Sequence, residues 1–314
     1  MAEIVTLTPN PAIDLSTSID RMVPMRKLRC TAQRRDPGGG GVNVARVVKR
    51  FGGDVEAIFP AGGFTGQLLR QLVANENIPT RAIEVQAETR EDFSVTELST
   101  TQQFRFVLPG VPLRESEWRG CLDALAATQP RPKFIVGSGS LPPGVPNDFY
   151  AQAGAIARKL GAKFMLDTSG APLAAALEHG VYLIKPNLRE MCELAGTPLA
   201  NQDDWIAAAR RTIDAGKVEV VALSLGHLGA LLVTRDQALR SPALPIKPVS
   251  AVGAGDSFLG AMVFSLAKGD SLADAFRLGV AAGSAALIHE GTELCQPADV
   301  YRLLAQVTIE LAPA

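Results

Sequence analysis

The chain has 314 residues, of which 47% are hydrophobic and 20% charged, and its formal net charge is −1 at pH 7. A chain of this length can form one large α/β domain with an appendage or two domains of about 150 residues each. The nearly balanced charge gives no electrostatic reason to expect nucleic acid or an anionic membrane as a partner, so a small molecule is the favoured ligand.

The sequence carries no signal for a metal-thiolate site or for membrane insertion. Its four cysteines are far apart and form no C-x-x-C pair, which predicts reduced thiols and no zinc site. The first residues show no basic segment followed by a long apolar core, and no stretch reaches the ~20 apolar residues of a membrane helix. We therefore expect a cytoplasmic protein.

From Leu7 onwards, short β-branched or apolar runs alternate with segments of helical periodicity. This alternation predicts a doubly wound, mostly parallel sheet with helices on both faces. The predicted strands are 3–8, 55–60, 133–137, 163–166, 181–184 and 218–222, and the predicted helices are 42–51, 65–75, 114–127, 146–159, 170–178, 202–215, 255–267 and 271–288.

Two segments, 13–35 and 91–107, do not follow this alternation. Both contain short alternating runs typical of strands, and the second has a turn at 99–102. Because both segments interrupt the main domain, we predict a single domain over 1–314 with a small antiparallel β lid built from the two insertions.

Two glycines, Gly253 and Gly255, stand at the start of the apolar helix predicted from residue 255. Unpaired amides in the first turn of a helix and the helix dipole bind anions, and glycines let a phosphate approach the backbone. Asp256 in this turn could take the proton of an attacking hydroxyl while the amides of Gly253, Ala254 and Gly255 stabilise a transferred phosphoryl group. Taken alone, the motif is more typical of an acid that only starts a helix.

The segment 251–261, AVGAGDSFLGA, resembles the C-terminal signature of the PfkB/ribokinase family of kinases. Segment 37–46 is similar to the family's N-terminal signature, 185–190 to its N-x-x-E motif, and 224–230 to its S-x-G-x-x-G loop. Four motifs in the family's order and spacing cover nearly the whole chain, so the sequence is identified as a member. Other phosphate-binding classes fit poorly, because the chain lacks G-x-x-x-x-G-K-[ST] and its glycine tract lacks the dinucleotide-binding spacing.

The resemblance implies a ribokinase-like fold and the use of ATP with Mg²⁺. Glu190 would act on Mg²⁺ indirectly, since this ion usually keeps several waters and bridges nucleotide phosphates. Asn187 and Glu190 could otherwise form a helix capping box. The family's roles, carried to the matching positions, assign sugar binding to Asp14, Gly38, Gly39 and Asn43, and ATP binding to Lys185, Asn187, Ser224, Gly226, Gly229 and Ser284.

An acceptor that already carries a phosphate needs cationic and polar groups at its far end. Segments 27–32 and 138–144 resemble those of the family's 6-phosphofructokinases. In those enzymes the positions that match Lys27, Arg90 and Ser140 hold the sugar phosphate, which implies fructose 6-phosphate as the acceptor here.

Two other activities of the family stay open. Gly40 stands where 1-phosphofructokinases and tagatose-6-phosphate kinases commonly carry Lys, which favours the 6-phosphofructokinase activity over both. A non-catalytic sensor of sugar phosphates is a further alternative, and the retention of Asp256 disfavours it because a sensor has no use for a base.

The resemblance also implies a K⁺ site. The sequence departs from the family pattern at His289, which replaces a small polar residue, and at Pro248, where a Ser normally lines the adenine pocket. The lid would expose phenylalanines that a small sheet cannot bury alone, so we expect two lids to pair in a homodimer. These phenylalanines are Phe93, Phe104 and Phe106.

The implied K⁺ site would use main-chain carbonyls near Ser250, Val252, Ala286, His289 and Gly291.

Overall fold

The computed structural model describes residues 2–31, 33–289, 291 and 293–312. Within those residues no helix is both long and apolar enough to cross a membrane. The strands are β1 (Ile4–Leu7), β2 (Ala12–Ile19), β3 (Arg34–Gly38), β4 (Val55–Ala61), β5 (Thr80–Glu84), β6 (Arg90–Glu97), β7 (Gln103–Phe106), β8 (Phe134–Ser138), β9 (Lys163–Asp167), β10 (Val181–Ile184), β11 (Val218–Ser224), β12 (Ala230–Val233), β13 (Ala238–Ser241) and β14 (Glu310–Leu311). The helices are α1 (Gly40–Arg50), α2 (Gly63–Asn75), α3 (Glu115–Ala126), α4 (Phe149–Leu160), α5 (Gly170–Leu177), α6 (Leu188–Ala195), α7 (Gln202–Asp214), α8 (Ala254–Ala267), α9 (Leu272–Ala286) and α10 (Pro297–Leu304).

Ten strands form the larger sheet, in the order β14-β13-β12-β11-β10-β9-β8-β1-β4-β5. The strands from β11 to β5 are parallel to one another, and β12, β13 and β14 add an antiparallel edge. All six predicted strands are present within this sheet. The prediction of a mostly parallel sheet is confirmed.

Helices cover both faces of the larger sheet, so its central strands are buried on two sides. One core joins the sheet to α1, α2, α8, α9 and α10, and a second core joins the opposite face to α3 to α7. The eight predicted helices are all present, while α6 and α10 were not predicted. Helix α8 is buried on nearly all sides, because it packs against α1 and α9 as well as the sheet.

The lid is a four-stranded sheet in the order β3-β2-β6-β7. Its outer pairs, β2–β3 and β6–β7, are antiparallel as predicted, but the central pair, β2–β6, is parallel. The reason is that β2 and β6 belong to different insertions, and both leave the same edge of the large sheet in the same direction. Position 32 of the predicted lid lies outside the described residues.

Candidate active site

The parallel strands end at one edge of the large sheet, where much of the predicted site is found. Ser138 ends β8, Asp167 ends β9, Lys185 directly follows β10, and Ser224 ends β11. Ligands of open α/β sheets bind at this carboxyl edge. The topology therefore gathers polar residues from distant parts of the sequence.

A cavity of about 860 Å³ opens at this edge, within the usual size range of small-molecule sites. Its walls come from the loops after β8 and β9, the glycine tract, the starts of α6 and α8, and the lid residues 107–109. The residues that line it include one glycine of the tract and five polar residues: Gly40, Ser138, Ser140, Asp167, Glu190 and Asp256.

Helix α8 begins with a glycine in the left-handed region. Gly253 has φ 73° and forms the N-cap without a side-chain cap hydrogen bond. A Cβ atom there would lie 2.4 Å from Cδ2 of Leu294, so only glycine fits. Gly39 caps α1 in a similar way, with φ 99°. No side chain caps these two helix starts, and the Ala254 amide of α8 has only a long 3.5 Å contact with the Ala251 carbonyl. Such helix starts can bind an anionic ligand.

Asp256 is half-buried in the first turn of α8 and faces the cavity. Removal from water raises the pKa of its carboxyl group to about 6, and the nearby Asp167 carboxylate acts in the same direction. A 2.9 Å hydrogen bond from Asn43 Nδ2 to Oδ2 and the charge of Lys185 oppose this increase. A carboxyl group of this pKa can accept a proton and release it again near neutral pH.

The glycine tract lets the backbone approach this carboxyl group closely. A Cβ atom at Gly40 would lie 2.1 Å from Oγ of Ser138 and 3.3 Å from Oδ1 of Asp256. A Cβ atom at Gly38 would lie 2.5 Å from Cγ of Asp14, which stands on β2 of the lid. The structure thus brings the tract, the lid acid and the start of α8 together.

Lys185 is buried, and its Nζ lies 3.3 Å from Oδ1 of Asp167. Burial alone would lower the pKa of Lys185, but three neighbouring carboxylates, foremost Asp167, raise it above its ordinary value, so the amine is charged. A Cβ atom at Gly255 would lie 3.0 Å from this Nζ, which places the ammonium group beside the anion-binding turn. Asp167 was missed in the sequence, although it ends a buried strand at the carboxyl edge.

Asn187 and Glu190 form a reciprocal capping box at the start of α6. Each side chain accepts a hydrogen bond from the other residue's backbone amide, both at 2.9 Å. Glu190 also lines the cavity, so the capping role and a role in the site are compatible. Among the described residues no group of three or more His, Cys, Asp or Glu side chains forms a metal cage.

The predicted ATP loop, 224–230, lies beside the start of α6. The Ser224 amide donates to the Pro186 carbonyl at 3.0 Å, which ties the loop to the N-x-x-E segment. Gly226 and Gly229 flank a short turn with φ values of 59° and 98°. Ser284 is half-buried on α9. The described lining of the cavity does not include these serines and glycines.

The predicted phosphate-holding residues are only partly brought together. Ser140 Oγ accepts a 3.1 Å hydrogen bond from Asn10 Nδ2, and Arg90 Nη2 donates to the Asn10 carbonyl at 3.2 Å. Arg90 Nη1 also lies 2.9 Å from Oδ1 of Asp92. Lys27 is exposed between β2 and β3, outside the described lining of the cavity. Asn10 was missed in the sequence, and its position just after β1 was the available signal.

Comparison with known proteins agrees with this geometry. The model of the pfkB family of carbohydrate kinases matches residues 5–299. The chain belongs to the pfkB family. The ATP-dependent 6-phosphofructokinase isozyme 2 of Mycobacterium tuberculosis is 47% identical over 95% of this chain and 88% of its own. The isozyme 2 of Escherichia coli is 41% identical over 98% of this chain and 100% of its own.

The E. coli enzyme also provides the structural comparison for this pfkB kinase. Its crystal structure in complex with substrates and products superposes with a TM-score of 0.92 and 42% identity, covering 96% of this chain and 98% of the other. Other crystal structures show that enzyme with potassium and as a tetrameric inhibited form. A 1-phosphofructokinase of Xanthomonas campestris is less similar, at 34% identity over 99% of this chain and 92% of its own.

The residues of the implied K⁺ site lie on two loops of the pfkB kinase that are held together. The Ser250 amide donates to the Leu287 carbonyl at 3.2 Å, which joins the loop before α8 to the end of α9. The His289 imidazole points to Asp299, with 3.1 Å from Nε2 to Oδ2. The imidazole is therefore engaged elsewhere, and this position would offer only its carbonyl. The buried residues of this region are Ser250, Val252, Ala286 and Gly291.

Proposed function

We propose that this pfkB kinase is a 6-phosphofructokinase, which transfers the γ-phosphoryl group of ATP to fructose 6-phosphate and forms fructose 1,6-bisphosphate. The observation that carries the proposal is the desolvated Asp256 carboxyl group at the start of α8, held by Asn43 beside the glycine tract. The greater identity to 6-phosphofructokinases than to the 1-phosphofructokinase supports this choice of acceptor. One kinase domain carries the site, with the lid as two insertions.

In this reaction Asp256 is the general base. It takes the proton of the acceptor hydroxyl as that oxygen bonds to the γ-phosphorus and the bond to the bridging oxygen of ADP breaks. The first-turn amides of α8, at Gly253, Ala254 and Gly255, stabilise the charge on the transferred group, and Lys185 adds a buried positive charge beside them. Asp167 and Glu190 are the carboxylates that would hold Mg²⁺ through its waters, and the ion would supply positive charge to the phosphates of ATP.

The acceptor's own phosphate is assigned to the Ser140 end of the cavity. Ser140 lines the cavity and is connected through Asn10 to Arg90, which is anchored by Asp92 and is outside the described lining of the cavity. We also assign Lys27 to the acceptor's phosphate, but only from the sequence, because its side chain is exposed and is not part of the described cavity lining. On the other side of α8, the nucleotide is assigned to the residues of the N-x-x-E motif and the S-x-G-x-x-G loop.

Two further properties belong to the proposal. K⁺ would bind to carbonyls of the loops at 250–252 and 286–291, where it would offset the charge of the phosphates. A homodimer would cover the lid, in which Phe93 is 36% and Phe106 50% exposed. One structure of the E. coli enzyme is of a tetrameric form, so the number of subunits of this kinase has to be measured separately.

The test is a coupled assay with ATP, Mg²⁺ and K⁺ that compares kcat/KM for fructose 6-phosphate, fructose 1-phosphate, tagatose 6-phosphate and fructose. We expect a preference of about 10²-fold or more for fructose 6-phosphate, as polar contacts to one sugar isomer can provide. Preference for another phosphosugar would retain the kinase and refute the acceptor. Activity on fructose alone would refute the roles of Ser140 and Arg90.

A further inference from the structure

Arg46 is a fully buried cation in the middle of α1. Its Nε lies 2.6 Å from Oε1 of Glu76, at the end of α2, and its Nη2 lies 3.5 Å from Oδ1 of Asp36, on β3. Its Nη1 donates to the Pro37 carbonyl at 3.0 Å. Two carboxylates and a carbonyl thus hold the guanidinium group in one orientation, which a buried charge requires.

The same Nη1 also donates to Oδ1 of Asn43 at 3.2 Å. Asn43 lies one turn before Arg46 on the helix, so the two side chains share a face. An amide side chain has one accepting and one donating end, and a cationic donor fixes which end is the oxygen. With Oδ1 turned to Arg46, the Nδ2 group must point away from it, and Nδ2 donates to Oδ2 of Asp256 at 2.9 Å.

We propose that Arg46 is a positioning residue for the catalytic carboxylate of Asp256, acting through the amide of Asn43. This inference rests on the proposed function for the role of Asp256. Arg46 is not among the described lining residues of the cavity. Its part is to prevent the Asn43 amide from rotating, because a rotated amide would turn its oxygen toward the carboxylate and replace an attraction by a repulsion.

The charges around Asp256 make this hydrogen bond consequential. Asp167, after β9, and Asp14, on the lid, raise the pKa of Asp256, while Lys185 and the Asn43 hydrogen bond lower it. The balance leaves the carboxyl group with a pKa of about 6. If the Asn43 bond weakens, the raising influences dominate and the base is protonated at a higher pH.

Replacing Arg46 by lysine keeps the positive charge and changes only the hydrogen-bond geometry. The guanidinium group contacts Glu76 with Nε and Asn43 with Nη1 at once, whereas the three donors of an ammonium group leave from a single nitrogen and cannot reproduce this planar arrangement. Arg50 provides a matched control. It belongs to the same buried network, with Nη2 3.5 Å from Oε2 of Glu76, and its other donors go to the Glu293 and Cys295 carbonyls.

The experiment compares the pH profile of kcat for Arg46→Lys, Arg50→Lys and the unmodified enzyme, with the phosphosugar that the enzyme prefers. We expect Arg46→Lys to move the acidic limb upward by roughly one pH unit, the order of a charge-assisted hydrogen bond. Arg50→Lys should leave the limb in place. In an Asn43→Ala background the limb is already raised, and adding Arg46→Lys should move it no further.

If Arg46→Lys lowers kcat equally at all pH values and does not move the acidic limb, Arg46 has only a structural role and the proposal is wrong. Equal shifts in both lysine variants would show a general electrostatic effect and also overturn the proposal. If Arg46→Lys does not fold, the unmodified apoprotein labelled with ¹⁵N-arginine decides. The Arg46 guanidinium resonances should titrate with a midpoint near that of Asp256, and those of Arg50 should not. Arg46 resonances that do not change as Asp256 titrates would refute the coupling of Arg46 to Asp256 through Asn43, whichever sugar the enzyme uses.

Discussion

Lys185, directly after β10, and Asp167, at the end of the neighbouring strand β9, form an ion pair with 3.3 Å between Nζ and Oδ1. The pair influences the carboxyl group of Asp256, the proposed general base, because the charge of Lys185 lowers its pKa and that of Asp167 raises it. Lys185 stabilises the ionised base and faces the anion-binding turn, whereas Asp167 disfavours a second negative charge nearby. One ion pair thus links the nucleotide side of the site to the base.

This relationship predicts pH shifts of opposite sign. Lys185→Met removes the positive charge, so the acidic limb of kcat should move above pH 6, and KM for ATP should rise. Asp167→Asn removes the negative charge, so the limb should move below that of the unmodified enzyme even if kcat falls. The measurement is a pair of kcat profiles from pH 5 to 9. Shifts in the same direction would contradict the assignment of the pair's influence.

Asp256→Asn should strongly reduce turnover and stabilise the fold. Loss of the general base should lower kcat by about 10²- to 10⁴-fold, with both substrates still bound. Because burial raises the pKa of this carboxyl group to about 6, ionisation favours the unfolded state, and stability is lost as the pH rises through that value. At pH 8 the amide should therefore be more stable by an amount on the order of 2 kcal/mol.

Two measurements separate these effects. Thermal unfolding of Asp256→Asn and the unmodified apoprotein should differ at pH 8 and converge as the pH falls to about 3, where the carboxyl group is mostly protonated in both folded and unfolded states. A difference that does not depend on pH would contradict the raised pKa. Unchanged turnover would contradict the assignment of Asp256 as the base, independently of the unfolding result.

The features that the sequence revealed are those encoded by neighbouring residues. The glycines before α8 and the acid in its first turn form one local pattern, and the chemistry of a helix start is set within a few residues. The six predicted strands are apolar runs at the centre of the sheet, which burial on both faces requires. Segments such as 181–184 and 218–222 could be identified without knowledge of their neighbours.

The missed features depend on distant parts of the chain. Asp167 belongs to no local motif, and only the pairing of β9 with β10 places it beside Lys185. The parallel pairing of β2 with β6 joins two separate insertions, which no local pattern specifies. The antiparallel edge formed by β12, β13 and β14 was also missed, and its last strand, β14, has two residues, which are too few for a clear period.

A substitution at Gly40 should show why this position is glycine. In Gly40→Ala the new Cβ atom would lie 2.1 Å from Oγ of Ser138, a buried side chain, and 3.3 Å from Oδ1 of Asp256. Something must move, so we expect kcat to fall by about 10-fold or more, as small misplacements of catalytic groups cause. Adding Ser138→Gly removes the first obstacle and should restore part of the loss. Steady-state kinetics and unfolding of both variants test this.

Failure of the second substitution to restore activity would indicate that the approach to Asp256, and not the overlap with Ser138, limits the enzyme. Gly52 supplies the matched control, because a Cβ atom there would meet nothing within 4 Å. Gly52 has φ 79°, so Gly52→Ala should cost stability through backbone strain while leaving kcat unchanged. A similar fall in kcat in this control would show that the loss at Gly40 is not local.

The connected set at the acceptor end predicts an effect on sugar binding and none on ATP. Asn10 Nδ2 donates both to Ser140 Oγ at 3.1 Å and to the Pro109 carbonyl at 3.2 Å, so it fixes the serine to the base of the lid. Ser140→Ala and Asn10→Ala should each raise KM for fructose 6-phosphate by about 10-fold, the order of one or two hydrogen bonds to an anion. KM for ATP should stay within a factor of two.

Fructose provides the internal control for these variants, because it has no phosphate to lose contact with. Activity on fructose, even if low, should fall much less than activity on fructose 6-phosphate. The same comparison decides the place of Lys27. If Lys27→Ala raises KM for the phosphosugar alone, this exposed side chain contacts the acceptor during catalysis. If it changes neither KM, the phosphate is held by Ser140 and Arg90 without it, since a cation that touches a phosphate cannot be removed without a loss of affinity.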